Sequence, residues 1–152
     1  MTTRHQQQRI SLTASTVAFA ASFAAWTLFS ILGLEIREQL QLNYTQFALL
    51  LVAPIFSGAL ARLPSGILAD VYGGRRVMFL EMAIVGVALL FYPLASTFWH
   101  YLLFGLVLGL AGATFSAGIT FVSAWHDKHR QGTAMGIFGA GDAGAAITNL
   151  VA

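Results

Sequence analysis

Long apolar stretches of the chain are broken by short polar clusters, and the gaps between clusters are each long enough to cross a bilayer. No charge interrupts the run between Arg9 and Glu35, about 37 Å of helix at 1.5 Å per residue against a hydrocarbon core of about 30 Å. The polar stretch Glu35 to Thr45 ends it. A second run carries a single charge, Arg62, and closes at the polar segment 70–76; a third holds Glu81 near its start and ends around Pro93 to Ser96. A fourth stops at the cluster His126-Asp127-Lys128-His129-Arg130, and a fifth opens at Gln131, contains Asp142 and is still apolar at Ala152. A charge at the bilayer centre costs about 3 kcal/mol on insertion scales, so these clusters draw the topology. The pattern predicts an all-α, multi-pass transmembrane helical bundle. Its segments are a polar N-terminus at 1–9, spans at 10–34 and 46–69, a loop at 70–76, spans at 77–95 and 98–125, a loop at 126–130, and an incomplete span at 131–152.

Composition sharpens this reading. The chain is 57% hydrophobic and 9% charged, where soluble domains carry about a quarter charged residues. A net charge of +2 supplies no field to hold nucleic acid, and the lipid bilayer is the expected surroundings. With no cysteine in the sequence, disulfides, thiolate metal sites and cysteine nucleophiles are excluded. Arg4, Arg9, Arg75, Arg76, Lys128 and Arg130 fall on one side of the layout, Arg37 alone on the other, and Arg62 within a span. That bias places the N-terminus in the cytoplasm and the protein in the cytoplasmic membrane. A secretory signal cleaved after Ala18-Phe19-Ala20 is the weaker reading, because apolar character continues to Leu34. No phosphate-binding loop, nucleophile elbow or zinc-protease helix is present, so no enzyme activity and no cofactor is expected. His126, Asp127 and His129 have ligand-like spacing, but in a solvated interfacial loop they are not expected to form a metal site.

Gly66-Ile67-Leu68-Ala69-Asp70-Val71-Tyr72-Gly73-Gly74-Arg75-Arg76 resembles the G-x-L-A-D-x-x-G-x-R/K-R/K signature between the second and third helices of major facilitator transporters. The Gly73-Gly74-Arg75 variant narrows the resemblance to the nitrate/nitrite porters. Ser57 to Gly66, with Arg62 two residues before Pro64, is similar to that branch's second helix, and Gln131 to Thr148 to its fifth-helix nitrate signature; Phe23 to Ser30 is similar, less specifically, to its first helix. Asp142 departs from the pattern, standing where the signature carries Asn. The resemblance implies the incomplete N-terminal half of a major facilitator fold, in which two inverted three-helix repeats build each half, with the C-terminal half expected from a longer chain.

The resemblance also implies a small inorganic anion as substrate, possible proton coupling, and a site. Arg62 lies eight residues before Asp70, roughly 12 Å of helix and near the midplane, too deep for easy snorkelling. Small neighbours leave room for a planar anion, whose oxygens match parallel guanidinium donors. The competing role is an ion pair with Asp142 or Glu81 that only holds helices together. Phe19, Phe23, Trp26 and Ser30 form a stripe on the first helix suited to packing, with Phe23 also a candidate wall for a flat anion. Gly139, Gly141 and Gly144 around Asp142 are candidate anion contacts or bending points. Asp142 itself would repel an anion unless protonated, paired with Arg62, or used to couple protons. Gly66, Asp70, Gly73, Arg75 and Arg76 form the loop signature. Glu81 is expected to partner the loop arginines rather than to carry protons. Small-residue ladders at Gly105, Gly109, Ala113 and Ala117, and at Gly132, Gly136, Ala140, Gly144 and Thr148, are expected to pack helices closely.

The function implied is secondary active transport of nitrate or nitrite by alternating access. A carrier of another small anion, such as a carboxylate, is favoured only by Asp142 replacing Asn. A membrane protein that binds a partner without transporting is the alternative of a different class.

Overall fold

The computed structural model describes residues 2–151 and the side chains of residues 6–150. Met1 and Ala152, the ends of the first and last expected segments, and the side chain of Arg4 lie outside the described residues. Helix α1 runs over Thr2–Leu40, α2 over Tyr44–Tyr72, α3 over Gly74–Phe91, α4 over Phe98–Leu108, α5 over Leu110–Trp125, α6 over Lys128–Gly139 and α7 over Ala143–Val151. Short 3-10 turns at Tyr92–Leu94 and Ala140–Asp142 lie between α3 and α4 and between α6 and α7. Four helical stretches, Gln6–Leu40, Tyr44–Tyr72, Gly74–Leu94 and Phe98–Trp125, are long and apolar enough to cross a membrane.

The connections are tighter than the polar clusters suggest. No Gly or Pro lies between Glu35 and Leu40, so α1 continues through these polar residues until Gln41 adopts a left-handed φ of 51°. There the Leu42 amide donates to Arg37 O at 3.0 Å, the six-to-one bond of a Schellman end. Asn43 then caps α2 in a box: its side chain accepts from the Gln46 amide at 2.8 Å while the Asn43 amide donates to Gln46 Oε1 at 3.1 Å. The Arg37 guanidinium lies over the rings of Tyr44 and Phe47, 4.8 and 5.1 Å from their centroids, tying the two helix ends together. The expected loop at 70–76 contracts to one residue. Gly73, at φ 90°, donates to Ala69 O at 3.0 Å and accepts from the Arg76 amide at 3.1 Å. One glycine thus closes α2 and opens α3 in a backbone region costly for other residues.

Two buried clusters fill the bundle. Phe19, Ala69, Val77, Met78, Ala117, Val122, Ala134 and Phe138 make one; Phe29, Ile36, Leu42, Leu50, Val85, Tyr101, Leu108 and Ala111 make the other.

Two close crossings bring backbones together. At the first, α2 meets the α4/α5 joint. A Cβ on Gly109 would stand 2.6 Å from Pro54 O and 2.7 Å from Gly58 N, and one on Gly58 would stand 2.8 Å from Gly109 O. Gly109 keeps helical dihedrals (φ −57°, ψ −26°), so the fourth expected span is jointed there, not reversed. At the second crossing, a Cβ on Gly141 would reach Thr16 O at 2.9 Å, and one on Gly144 the Ala20 backbone at 2.8 Å. The side packed inward carries Ala134, Phe138, Gly141 and Gly144. This corrects the expected ladder: Gly132 and Gly136 have open space around them and Ala140 is exposed.

The crossing at Gly109 makes a direct prediction for thermal unfolding in a single detergent. Gly109→Ala should cost about 1–3 kcal/mol, because backbone atoms cannot yield to the added methyl. Gly86→Ala, on an open face of α3, should be stabilising by about 0.5–1 kcal/mol, since glycine is a poor helix former. Equal effects would contradict the assigned crossing.

Candidate anion site

Between the two apolar clusters lies a polar layer. Ser22, Ser65, Glu81 and Thr114 are buried. Each falls along its own helix between members of the two clusters: between Phe19 and Phe29 on α1, Leu50 and Ala69 on α2, Met78 and Val85 on α3, and Ala111 and Ala117 on α5. Polar groups at this depth are costly unless bonded or functional. Ser22 and Thr114 satisfy their hydroxyls within their own helices, on Ala18 O at 3.1 Å and Ala111 O at 2.6 Å. Ser65 reaches across to Ala113 O at 3.2 Å.

Arg62, one turn from Gly58 and three residues before Ser65, reaches across in parallel. Its Nε donates to Gly112 O at 3.4 Å, so Arg62 and Ser65 hold successive carbonyls of α5. Its side chain is otherwise exposed. A guanidinium has five N–H donors, and among the described residues none of the others has a partner. A long, weak bond to a carbonyl leaves the planar fork free to take an oxyanion. A Cβ on Gly112 would lie 3.9 Å from both Gly58 Cα and Trp26 Cζ3, so α1, α2 and α5 meet beside this contact. Trp26 stands edge-on to Phe23 with centroids 5.0 Å apart, and Phe23 lies 4.8 Å from Phe19. The aromatic stripe of α1 and Arg62 therefore share one corner of the bundle, with Trp26 nearest the Arg62 contact.

The other expected site residues separate from this corner. Gly141 and Gly144 are buried against α1, where their lack of a side chain serves packing. Gly139 faces open space, and Asp142 is exposed at the end of the 3-10 turn. No ion pair joins Arg62 to Asp142 among the described residues. In the loop signature, Asp70 is exposed in the last turn of α2, Arg75 and Arg76 are exposed in the first turn of α3, and Gly66 has open space about it. Glu81 differs most from expectation. It is 7% exposed, its side-chain hydrogen-bonding neighbour is Ser65, and its Oε2 has no partner, so no arginine neutralises that oxygen. Its position one face away from Arg75, turned toward α2 and not toward the loop, explains the difference. Sequence reading took Ser65 only as one of the small neighbours of Arg62 and passed over Gly112; the one signal available was a serine on the same helical face as Arg62, three residues on.

Residues 14–152 match the Major Facilitator Superfamily. The chain belongs to this superfamily. This major facilitator is thus a multi-pass membrane protein of a transporter family, not an enzyme. It is 41% identical over 137 residues to the probable nitrate/nitrite antiporter NarK1 of Thermus thermophilus, covering 90% of this chain and 31% of the relative. It is 33% identical over 141 residues to the probable nitrate transporter NarT of Staphylococcus haemolyticus, covering 93% and 37%. With the nitrite extrusion protein of Bacillus subtilis it shares 29% identity over 146 residues, covering 96% and 37%. The chain spans about a third of the length of these curated relatives.

The absence of an Arg62–Asp142 pair sets the expectation for Asp142→Asn. An exposed, unpaired carboxylate should be replaceable with thermal stability kept within about 0.5 kcal/mol. Loss of several kcal/mol in the same unfolding assay would show that Asp142 neutralises a buried charge after all.

Proposed function

We propose that the protein carrying this chain is a secondary transporter of nitrate or nitrite, working by alternating access with Arg62 as an anion ligand. The observation that carries this reading is the state of Arg62: a permanent cation deep in a membrane helix, without a carboxylate partner among the described residues, bonded at 3.4 Å to one carbonyl. Intramembrane cations are functional by default, and the planar fork suits a flat oxyanion better than a point charge would. The names of the relatives support the choice of anion, since each is described by nitrate or nitrite.

Alternating access asks that two sets of helices rock about the site. The joint at Gly109 and the 3-10 turn at Ala140–Asp142 supply two places where spans bend without losing their course. Phe23 and Trp26 form an aromatic wall whose ring edges are compatible with anion charge. The six-to-one distribution of Lys and Arg supports a cytoplasmic N-terminus in the cytoplasmic membrane.

The test is Arg62→Lys in the reconstituted protein, read as nitrate affinity by calorimetry. Keeping the charge but losing the fork should weaken binding by at least about tenfold, ~1.4 kcal/mol. Unchanged affinity would leave Arg62 a packing residue.

A further inference from the structure

Glu81 is the polar group of the middle layer that the transport reading leaves unused. It is buried, with Oε2 unpartnered. Its neighbour Ser65 bonds Ala113 O at 3.2 Å, and among the described residues no group satisfies Oε2. A carboxylate there would be an uncompensated charge in the layer, whereas a neutral acid is not. The accounting of buried charge thus favours a proton on Glu81.

The same accounting links that proton to the anion site. Arg62 and Ser65 lie three residues apart on α2 and hold the adjacent carbonyls Gly112 and Ala113 of α5. Whatever shifts α2 against α5 at one contact is felt at the other. A groove of about 470 Å³ between α2 and α3 runs from Glu81 to the α2–α3 turn, where Tyr72 and Arg76 line it. It gives the carboxyl a route toward the bundle end. Tyr72 on α2 and Arg76 on its own helix share the groove with Glu81; of the other elements packed on α3, α5 carries no charged side chain, α1 none between Arg9 and Glu35, and α4 with the turn before it brings Tyr92, His100 and Tyr101.

We propose that Glu81 is a proton-binding site whose occupancy is coupled to anion binding at Arg62 through the paired contacts of α2 with α5. The coupling has a definite sign. Without an anion the Arg62 cation favours a negative Glu81, and a bound anion cancels that charge and favours the neutral acid, so anion and carboxylate disfavour each other. Proton on Glu81 and anion on Arg62 therefore bind together, and linkage makes the effect reciprocal. Anion affinity is full while Glu81 is protonated and falls as rising pH removes the proton. This makes the carrier one that takes the anion with a proton, and it assigns that proton to α3, not to Asp142. The inference rests on the anion reading of Arg62.

The experiment uses the protein reconstituted in lipid nanodiscs, with nitrate as the probe and two readouts. Infrared spectroscopy follows the carbonyl stretch of a neutral carboxyl, and calorimetry gives nitrate affinity across pH. A neutral-carboxyl band should be present without nitrate, shift when nitrate is added, vanish in Glu81→Gln and persist in Asp142→Asn. Wild-type affinity should drop on the order of tenfold from low to high pH, within the usual range of coupling between sites, and Glu81→Gln should bind nitrate with no such drop. If Glu81→Gln folds poorly, Ser65→Ala serves instead: the band should remain but move in frequency, because its hydrogen-bond partner is gone. A band that survives in Glu81→Gln or is unmoved in Ser65→Ala, or a pH dependence equal in wild type and Glu81→Gln, overturns the proposal. Absence of nitrate binding in the wild type at every pH overturns the anion reading and the coupling with it. A band lost in Glu81→Gln would even then identify Glu81 as the protonated group.

Discussion

Everything at the candidate site depends on how closely α2 approaches the α4/α5 joint. Lipid gives helices no hydrophobic reason to associate, so packing and interhelical hydrogen bonds must hold them. Gly58 and Gly109 remove the side chains that would keep the two backbones apart, and Pro54 O lies in the same contact. From that crossing, one further turn of α2 puts Arg62 at Gly112 O, and three residues more put Ser65 at Ala113 O. A methyl group at Gly109 would displace all of these, although none of them touches it.

The contact of α7 with α1 uses the same device, with Gly141 and Gly144 seated on the backbone of Thr16 to Ala20. Two glycine crossings, one between α2 and the α4/α5 joint and one between α7 and α1, suit the inverted repeats of a major facilitator. The polar layer follows from the same construction. Apolar side chains fill the two clusters, and Ser65, Glu81 and Thr114 are buried between them.

Much of the fold was legible because charge is expensive in hydrocarbon: the gaps between charged clusters located four long apolar helices, and the Gly-Asp-Gly-Arg signature pointed to the superfamily. Helix ends were less legible, since Glu35 to Leu40 hold four polar residues yet contain nothing that stops a helix, and Gly73 alone performs a reversal expected of the whole segment 70–76. Arg62 stood out as an isolated cation. Its real partner, a backbone carbonyl of α5, has no sequence signal, because any residue supplies a carbonyl. The spacing of Gly132, Gly136 and Ala140 suggested a packing stripe, but the inward side of α6 is that of Ala134 and Phe138, about 200° round the helix from Gly132 and Gly136. For Glu81, proximity in sequence to Arg75 and Arg76 was the wrong guide; one helical face decides whether an acid meets the loop or the core.

The central claim is that Arg62 is parked on a weak carbonyl contact and free to exchange it for an anion. Solid-state NMR measures this directly, as dipolar coupling between 15N-labelled nitrate and the 13C-labelled Arg62 guanidinium carbon in reconstituted protein. Strong coupling at saturating nitrate, lost on competition with unlabelled nitrate, is the predicted result. Nitrate bound to the protein with no coupling to Arg62 would contradict the account.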